Sequence, residues 1–341
     1  MSVSEQSEKT MAASGAAQLR SWCITVVFGL LGIALTALLV IHAGIQGILG
    51  TLSIAGLGIL WLVPLHTIPI ALDSQGWKAL LADSDRKLSS LSLFWIAGIR
   101  EAVNGLLPVL RVGGDLTGVR VAVQCGVSKS LAVASVLAEV TLTMLSQILF
   151  TLSGICLLFS ADHSRSFIAS IIAATLIAMI VVVAFILVQR GGPFTTFKRL
   201  LKLAGANGKA LAWLGEPAHF DQAIRELYHQ KTKLFKAMLW QMSGLLSGVA
   251  EVWIALRLLG HPVSWSYALI LESLSQAVRS ASFFIPSGVG VQEGSLVLFG
   301  SMLGIAPDVS LALSLIKRLR EVIFGLPFLV SWRWYEHRLL H

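Results

Sequence analysis

Stretches of about twenty consecutive apolar residues recur along the chain and constrain its fold more than any other feature. They are clearest at 23–41, 52–72, 131–158, 167–188, 237–259 and 309–332. A helix needs roughly 20 apolar residues to cross the hydrocarbon of a bilayer. Charged residues make up 13% of the 341 residues, against roughly 25% in soluble domains. The sequence therefore predicts an all-α, polytopic membrane helix bundle with about six full spans.

Two further apolar regions, 91–127 and 264–305, are interrupted by charged residues, prolines and glycines. Lys and Arg are concentrated in 189–236 and absent from the turns at 42–51 and 260–263, so the positive-inside rule assigns 189–236 to the cytoplasm. The assignment of 189–236 to the cytoplasm holds only if each broken region enters and leaves the membrane on the same side. We expect two re-entrant helical hairpins, although two full crossings per region would give the same parity.

The two broken regions resemble each other. In each region an acid follows a proline by seven residues, Asp115 after Pro108 and Glu293 after Pro286. A Gly-aliphatic-small triplet begins eighteen residues after each proline, at Gly126 in the first region. Hairpins that enter from opposite sides form an inverted repeat, the arrangement that lets a transporter open alternately to each side.

Ionisable and small residues gather around both breaks. A charged side chain at the bilayer centre costs roughly 2.5–3.5 kcal/mol, so these residues must pair with each other or line a water-filled cavity. The candidate substrate-binding residues are Arg100, Asn104, Asp115, Arg279 and Glu293. The candidate supporting residues are Pro108, Gly113, Gly114, Pro286, Gly288, Gly290, Glu139, Lys317 and Glu321. We expect the bases to hold a phosphate or hydroxyl-rich head group. The competing interpretation is internal ion pairing that holds the bundle together.

Most signatures of catalysis are missing from the sequence. It has no HExxH motif, P-loop or nucleophile elbow, and its three cysteines form no CxxC pair. Asp83-Ser84-Asp85 matches the DxD motif of metal-using glycosyltransferases, but it lies in a short charged segment followed by Arg86 and Lys87. We interpret this segment as a solvated loop and predict a protein that is not an enzyme, with no metal and no cofactor.

The formal net charge of +8 has its basic residues in a few interhelical segments. This distribution predicts membrane lipids as partners, with anionic lipid head groups at the cytoplasmic face, and no nucleic acid. The oligomeric state stays open. We expect cytoplasmic tails at 1–21 and 336–341, a single transmembrane domain at 22–335, and a cytoplasmic amphipathic segment at 189–236 inside that domain.

Two motifs resemble a known family. Asn104-Gly-Leu-Leu-Pro108 with Gly113-Gly114-Asp115, and Pro286-Ser-Gly-Val-Gly-Val-Gln-Glu293-Gly294, are similar to motifs of the lysylphosphatidylglycerol synthase transmembrane-region family of flippase-like bacterial membrane proteins. The resemblance covers about residues 20–335, and the first motif has Gly114-Asp115 in place of Gly-Glu. It implies a lipid-flipping fold, a bacterial inner-membrane location and amphiphilic substrates. Some similar members are associated with hopanoid biosynthesis.

The resemblance and the residues together predict translocation or transport of a lipid or lipid-linked amphiphile, with a hopanoid as one substrate class. Some family members carry an aminoacyltransferase domain, and we expect no lipid aminoacylation here because no such domain follows. A membrane-embedded lipid-modifying transferase and a non-catalytic partner of a lipid-biosynthesis complex are the alternatives.

Overall fold

The computed structural model describes residues 34–107, 112–160, 176, 217–282 and 288–340, and all regular structure in these ranges is helical. Apart from residue 176, the predicted span 167–188 lies outside the described residues, as do residues 189–216, Pro108 and Pro286. The α-helices are α1 (Ala34–Ala43), α2 (Ile45–Ala55), α3 (Leu62–Leu80), α4 (Ser90–Leu106), α5 (Val112–Gln124), α6 (Lys129–Ser160), α7 (Pro217–His229), α8 (Lys231–Leu258), α9 (Trp265–Ala281), α10 (Val291–Met302) and α11 (Pro307–Leu340).

In the part of the chain that the structure describes, three helical segments are long and apolar enough to cross a membrane, namely Ile45–Leu80, Lys129–Leu158 and Lys231–Leu258. The first joins α2 to α3 through a 3-10 helix at Gly56–Trp61. Large apolar side chains such as Leu57 and Val330 are exposed on the outside of the bundle, where a soluble protein would form polar surface. The predicted polytopic membrane class is confirmed.

Two predicted boundaries are wrong. The turn expected over 42–51 is confined to the region of Gly44, because α2 begins at Ile45. The loop expected over 73–90 is shorter, since α3 continues to Leu80 and buries Trp77. Asp73 and its polar neighbours interrupt the apolar run in the sequence, yet they face other helices instead of water.

The repeat is visible in the order and the ends of the helices. Helices α3 to α6 recur as α8 to α11. The last residues of α5 and α10, Gln124 and Met302, are separated by the same number of residues as Pro108 and Pro286. Helices α4 and α9 both contain 17 residues. Ser89 and Ser264 cap their first turns by accepting a hydrogen bond from a backbone N–H.

Matching turns follow α5 and α10. Gly126 and Gly304 have φ values of 98° and 74°, in the left-handed region that glycine tolerates best. The next N–H after each glycine donates back into the helix, from Val127 to Ala122 at 3.1 Å and from Ile305 to Gly300 at 2.8 Å. The same cap geometry therefore ends both hairpins.

Equivalent helices contact each other reciprocally. Helix α4 packs on α11 while α9 packs on α6, and α3 crosses its own equivalent, α8. The crossing is antiparallel, because Pro69 and Asp73 lie beside Gly244 whereas Ile54 lies beside Gly260. Reciprocal contacts between antiparallel equivalents define a two-fold axis perpendicular to the helices. The two halves are therefore inverted repeats.

The bundle has two ends of different charge. Asp83 contacts Lys233, Arg86 lies beside Gly126, and Cys125 lies beside Tyr335, so these segments share one end. We call this the basic end because it carries Arg86, Lys87, Lys129, Lys231, Lys233, Lys236, Arg333 and Arg338. Among the described residues, Arg257 is the one Lys or Arg at the opposite end. By the positive-inside rule, we expect the basic end to face the cytoplasm.

Both broken regions are hairpins that return to the end they leave. Helix α4 starts at the basic end and α5 finishes there, whereas α9 starts at the opposite end and α10 finishes there. There residues 260–264 and 303–305 line one groove of about 580 Å³. Helix α5 has 13 residues and α10 has 12. At 1.5 Å per residue they reach about 20 and 18 Å, less than the roughly 30 Å of hydrocarbon. Each broken region is therefore a re-entrant hairpin.

Candidate functional site

Arg100 is the centre of a charged cluster in the first half of the chain. Its guanidinium donates to Asp115 on α5 and to Glu139 on α6, each at 2.7 Å. It also lies 5.0 Å from the centroid of the Trp77 ring. The Oδ1 of Asn104 accepts a hydrogen bond from the backbone N–H of Gly114 at 2.8 Å. The structure thus brings together Arg100, Asn104 and Asp115, the predicted substrate-binding residues of the first hairpin.

Glycines allow the two helices of this hairpin to approach closely. A Cβ atom on Gly114 would collide with the backbone oxygen of Arg100 and with the Asn104 side chain. One turn later, a Cβ on Gly118 would lie 2.8 Å from Cγ of Arg100. Small residues four apart are the usual means of close helix contact in membranes. Gly113 accepts a hydrogen bond from Thr117 at its carbonyl oxygen.

Glu293 organises the start of α10 in the second half. Its Oε2 accepts from the backbone N–H of Gly290 at 2.7 Å, and its Oε1 accepts from Arg318 at 3.0 Å and from Ser314 at 3.3 Å. The side chain is 3% exposed, so these contacts replace its hydration. The acid that was predicted from the motif is thus a helix cap and an ion-pair partner at the same time.

Arg279 connects both helices of the second hairpin to α11. Its Nη1 lies 3.1 Å from Glu321 and donates to Gln292 at 3.0 Å. Gly288 packs beside its aliphatic stem. Two further bases, Arg318 and Arg320, lie within 4.0 and 3.7 Å of Glu321. The predicted residues Arg279, Glu293 and Glu321 therefore belong to one cluster.

Lys317 forms a separate pair in the same half. Its Nζ donates to Glu272 on α9 at 2.6 Å, and both side chains are buried. Among the described residues, neither side chain forms a hydrogen bond or an ion pair with Arg279, Glu293 or Glu321, so the geometry of this pair suits the structural interpretation better than a substrate role.

Three residues of the site were not predicted as such. His66 Nδ1 lies 3.3 Å from Glu251, and Arg320 donates to the other oxygen of that carboxylate. His66 packs edge-on against the ring of Phe324. Glu251 and Arg320 lie inside the predicted spans 237–259 and 309–332, but their contact joins two distant helices. The signal for His66 was an ionisable residue inside an apolar span.

Glu101 is connected electrostatically to both clusters. It follows Arg100 on α4 but faces another side of the helix, since successive helical residues are about 100° apart. It interacts electrostatically with His66 and Asp73 of α3 in the first half and with Arg279 and Arg320 in the second. The two clusters therefore form one polar region between the inverted halves.

Asp83 of the DxD motif is engaged in a different contact. It accepts hydrogen bonds from Lys233 at 2.5 Å and from Gln230 at 2.6 Å, which join the α3–α4 loop to the start of α8. These hydrogen bonds hold the pKa of the Asp83 carboxyl below its usual value. In the described ranges, no three His, Cys, Asp or Glu side chains are grouped as metal ligands.

Comparisons with known proteins agree with this architecture. The family described as the lysylphosphatidylglycerol synthase TM region matches residues 10–328, a range that contains both hairpins and both clusters. A UPF0104 membrane protein of Methanothermobacter thermautotrophicus is 24% identical over 288 residues, which are 76% of this chain and 80% of that protein. The resemblance inferred from the two motifs is confirmed. This multi-pass membrane protein belongs to the lysylphosphatidylglycerol synthase transmembrane-region family.

Proposed function

We propose that this protein translocates a lipid or lipid-linked amphiphile across the membrane. One observation carries the proposal: two re-entrant hairpins enter from opposite ends, and charged residues from both gather in one polar region between the inverted halves. Discontinuous helices around a site between inverted repeats are typical of transporters that alternate between two open states.

The physical demand of lipid translocation suits this arrangement. An amphiphile can keep its tail in hydrocarbon while it crosses, so it needs a polar path only for its head group. Irregular backbone at membrane depth is tolerated where protein or water surrounds it. Short hairpins meet this condition, and their small residues let a head group approach the backbone closely.

We assign head-group binding to Arg100, Asn104, Asp115, Arg279 and Glu293. In this proposal the bases hold a phosphate or hydroxyl-rich head group. The acids pair with those bases when the head group leaves. The paired arrangement of Arg100 with Asp115 and of Arg279 with Glu321 then corresponds to the protein without substrate.

We further propose that the protein acts in the bacterial inner membrane and is not an enzyme. A hopanoid-type lipid is the first substrate class to test, beside phospholipids. Membrane lipids, with anionic head groups at the basic end, are the partners that this location supplies.

Reconstitution into liposomes tests the proposal. Labelled lipid accessible in the outer leaflet is measured over time with the intact protein, with Arg279→Ala, and with Arg257→Ala as a matched control. Arg257 stacks on Trp253 at 3.9 Å from its centroid and lies outside both clusters. We expect transport by the intact protein and by Arg257→Ala, and its loss in Arg279→Ala.

Two results would contradict this assignment. Equal transport by Arg279→Ala and the intact protein would remove Arg279 from the site. Liposomes in which the folded, intact protein moves none of the labelled lipids would contradict lipid translocation itself. A variant that unfolds without a specific transport defect would support the interpretation of these contacts as structural ion pairs.

A further inference from the structure

Three arginine side chains converge on one carboxylate in the second half of the chain. Arg279 of α9 lies 3.1 Å from Glu321. Arg318 and Arg320, which share α11 with this acid, lie 4.0 and 3.7 Å from it. The Glu321 side chain is 6% exposed, so guanidinium groups replace water around its charge. A carboxylate thus occupies the place at which three cations meet.

Two of these arginines also have a buried N–H group to spare. The Nε of Arg279 and the Nε of Arg320 are buried without a hydrogen-bond partner among the described residues. A buried donor without a partner is costly, and a binding site for an acceptor is one physical reason to retain it. The convergence of the cations and the spare donors are separate observations, and both indicate a site for an oxyanion.

The cluster around Arg100 has the opposite balance. Its guanidinium donates to two carboxylates, those of Asp115 and Glu139, at 2.7 Å each. This base is therefore saturated by acids from two helices. An anion that approached Arg100 would meet both carboxylates, whereas at the second cluster it would meet three cations. We therefore expect an anionic group to bind at the second cluster and not at the first.

Only an anion can take the place of Glu321 without leaving a buried charge unpaired. Glu321 is the one acid within ion-pair distance of Arg279 among the described residues. A neutral hydroxyl group in its place would leave this guanidinium without a counter-charge, which is strongly unfavourable in a buried site. A phosphodiester has two charged oxygens, as a carboxylate has, and the planar guanidinium group binds such oxygens in pairs.

We propose that Arg279, Arg318 and Arg320 form a phosphate-binding site in which Glu321 is an internal competitor of the ligand. Without ligand, the carboxylate pairs with the arginines. When the ligand binds, its phosphate takes over these contacts. The source of the phosphate is a lipid head group, and this part of the inference rests on the proposed transport function. The proposal adds Arg318 and Arg320 to the residues that bind the head group.

Competition predicts opposite effects for two changes in the same cluster. Glu321→Gln nearly keeps the shape of the side chain but removes the competing charge, so it should tighten phosphate binding by about ten- to hundredfold. Arg320→Gln removes a cation and should weaken binding by a similar factor. An ion pair with a purely structural role gives no such reversal of sign, because both changes damage the same contact.

Calorimetric titration of the purified protein in detergent measures these affinities. The ligands are short-chain phosphatidylglycerol, inorganic phosphate, and a short-chain glycosyl diacylglycerol, which has hydroxyl groups but no phosphate. We expect the glycosyl lipid to bind at least about tenfold more weakly than phosphatidylglycerol. Glu336→Gln is the matched control, because this acid pairs with Arg120, whose side chain is 60% exposed at the basic end. It should bind phosphatidylglycerol like the intact protein.

Three results would overturn the proposal. The first is unchanged or weaker phosphate binding by folded Glu321→Gln. The second is an equal gain in Glu336→Gln, which would place the binding at the surface. The third is inorganic phosphate binding as tightly as phosphatidylglycerol, which would remove the lipid as its source. Glu321→Asp keeps the charge on a shorter side chain, so it should gain a smaller factor, and it replaces Glu321→Gln if that variant does not fold.

Transport by the same variants in liposomes separates this site from the proposed function. If phosphatidylglycerol binds with the expected changes of sign but no labelled lipid moves, lipid translocation fails while the phosphate site stands. If labelled phosphatidylglycerol and glycosyl lipid move equally well, and Glu321→Gln leaves binding unchanged, the phosphate site fails alone.

Discussion

Asn104 and Arg279 occupy equivalent positions in the two hairpins, each two residues before the end of a 17-residue helix. Each contacts the residue that lies six positions after its own proline: Asn104 accepts from Gly114, and Arg279 donates to Gln292. The repeat therefore preserves this contact between helices but changes its chemistry. One hairpin has a neutral amide at this position and the other has a cation, so the two sides of the polar region are not interchangeable.

Removal of the Arg279 cation should cost more than removal of the Asn104 amide. Arg279→Asn leaves Glu321 with the more distant Arg318 and Arg320, and loss of one partner of a buried ion pair costs about 3 kcal/mol or more. Asn104→Ala loses one hydrogen bond, about 1 kcal/mol. Thermal unfolding in detergent compares the two, and Glu321→Gln combined with Arg279→Asn should recover part of the loss. Equal melting temperatures for the two single variants would contradict the pairing.

Gly118→Ala should destabilise the first hairpin. The added methyl would meet the side chain of Arg100, and overpacking of this kind costs about 1–3 kcal/mol. Gly105 on α4 is the matched control, because nothing lies within 4 Å of a Cβ placed there. Gly105→Ala should be neutral or stabilising, since alanine favours a helix by about 0.8–1.0 kcal/mol over glycine. A Gly118→Ala variant as stable as Gly105→Ala would show that the contact is looser than the structure has it.

The contact between the α3–α4 loop and α8 should weaken only in acid. The pKa of Asp83 is lower in the folded protein than its usual 3.8, so its stabilising contribution is complete above that value and is lost as the pH falls through the folded pKa. With a side chain that is 56% exposed, the pair is worth about 0.2–1 kcal/mol. Asp83→Asn should lower stability by this amount at neutral pH, with a difference that shrinks in acid.

The neighbouring acid provides the control for this pH dependence. Asp85 is exposed and forms no ion pair among the described residues, so Asp85→Asn should have a smaller effect at every pH. Unfolding curves recorded from neutral to acidic buffer would decide the matter. A difference between Asp83→Asn and the intact protein that grows in acid would contradict the sign of the shift.

Cysteines introduced at Asp85 and at His261 should react from opposite sides of the membrane. Both residues are exposed, and they lie at the basic end and at the opposite end of the bundle. The experiment starts from a variant in which Cys23, Cys125 and Cys156 are replaced by serine. A membrane-impermeant thiol reagent in intact cells should label position 261 and not position 85. Labelling of both from the outside would contradict the inverted arrangement of the hairpins.

Part of the site could be predicted because its residues lie close together in the sequence. Arg100, Asn104, Gly114 and Asp115 all belong to one hairpin, so the motif around Pro108 predicted their proximity. Lys317 was different. It follows the second break as Glu139 follows the first, yet its partner is Glu272 and not a residue of the Glu293 cluster. Equivalent positions in a repeat share a backbone environment, but their side chains select partners by charge.

Hydropathy, charge bias and a spaced motif predicted the membrane class and the family, because these are properties of neighbouring residues. The same patterns predicted the two hairpins but left two full crossings per region possible, because both arrangements give the same parity. Only the folded structure shows that α3 extends through Asp73, that Glu251 contacts both His66 and Arg320, and that α4 packs against α11. Glu251 is 185 residues from His66 and 69 from Arg320. Which faces of such distant helices meet depends on how the inverted halves pack, and no local pattern in the chain records that packing.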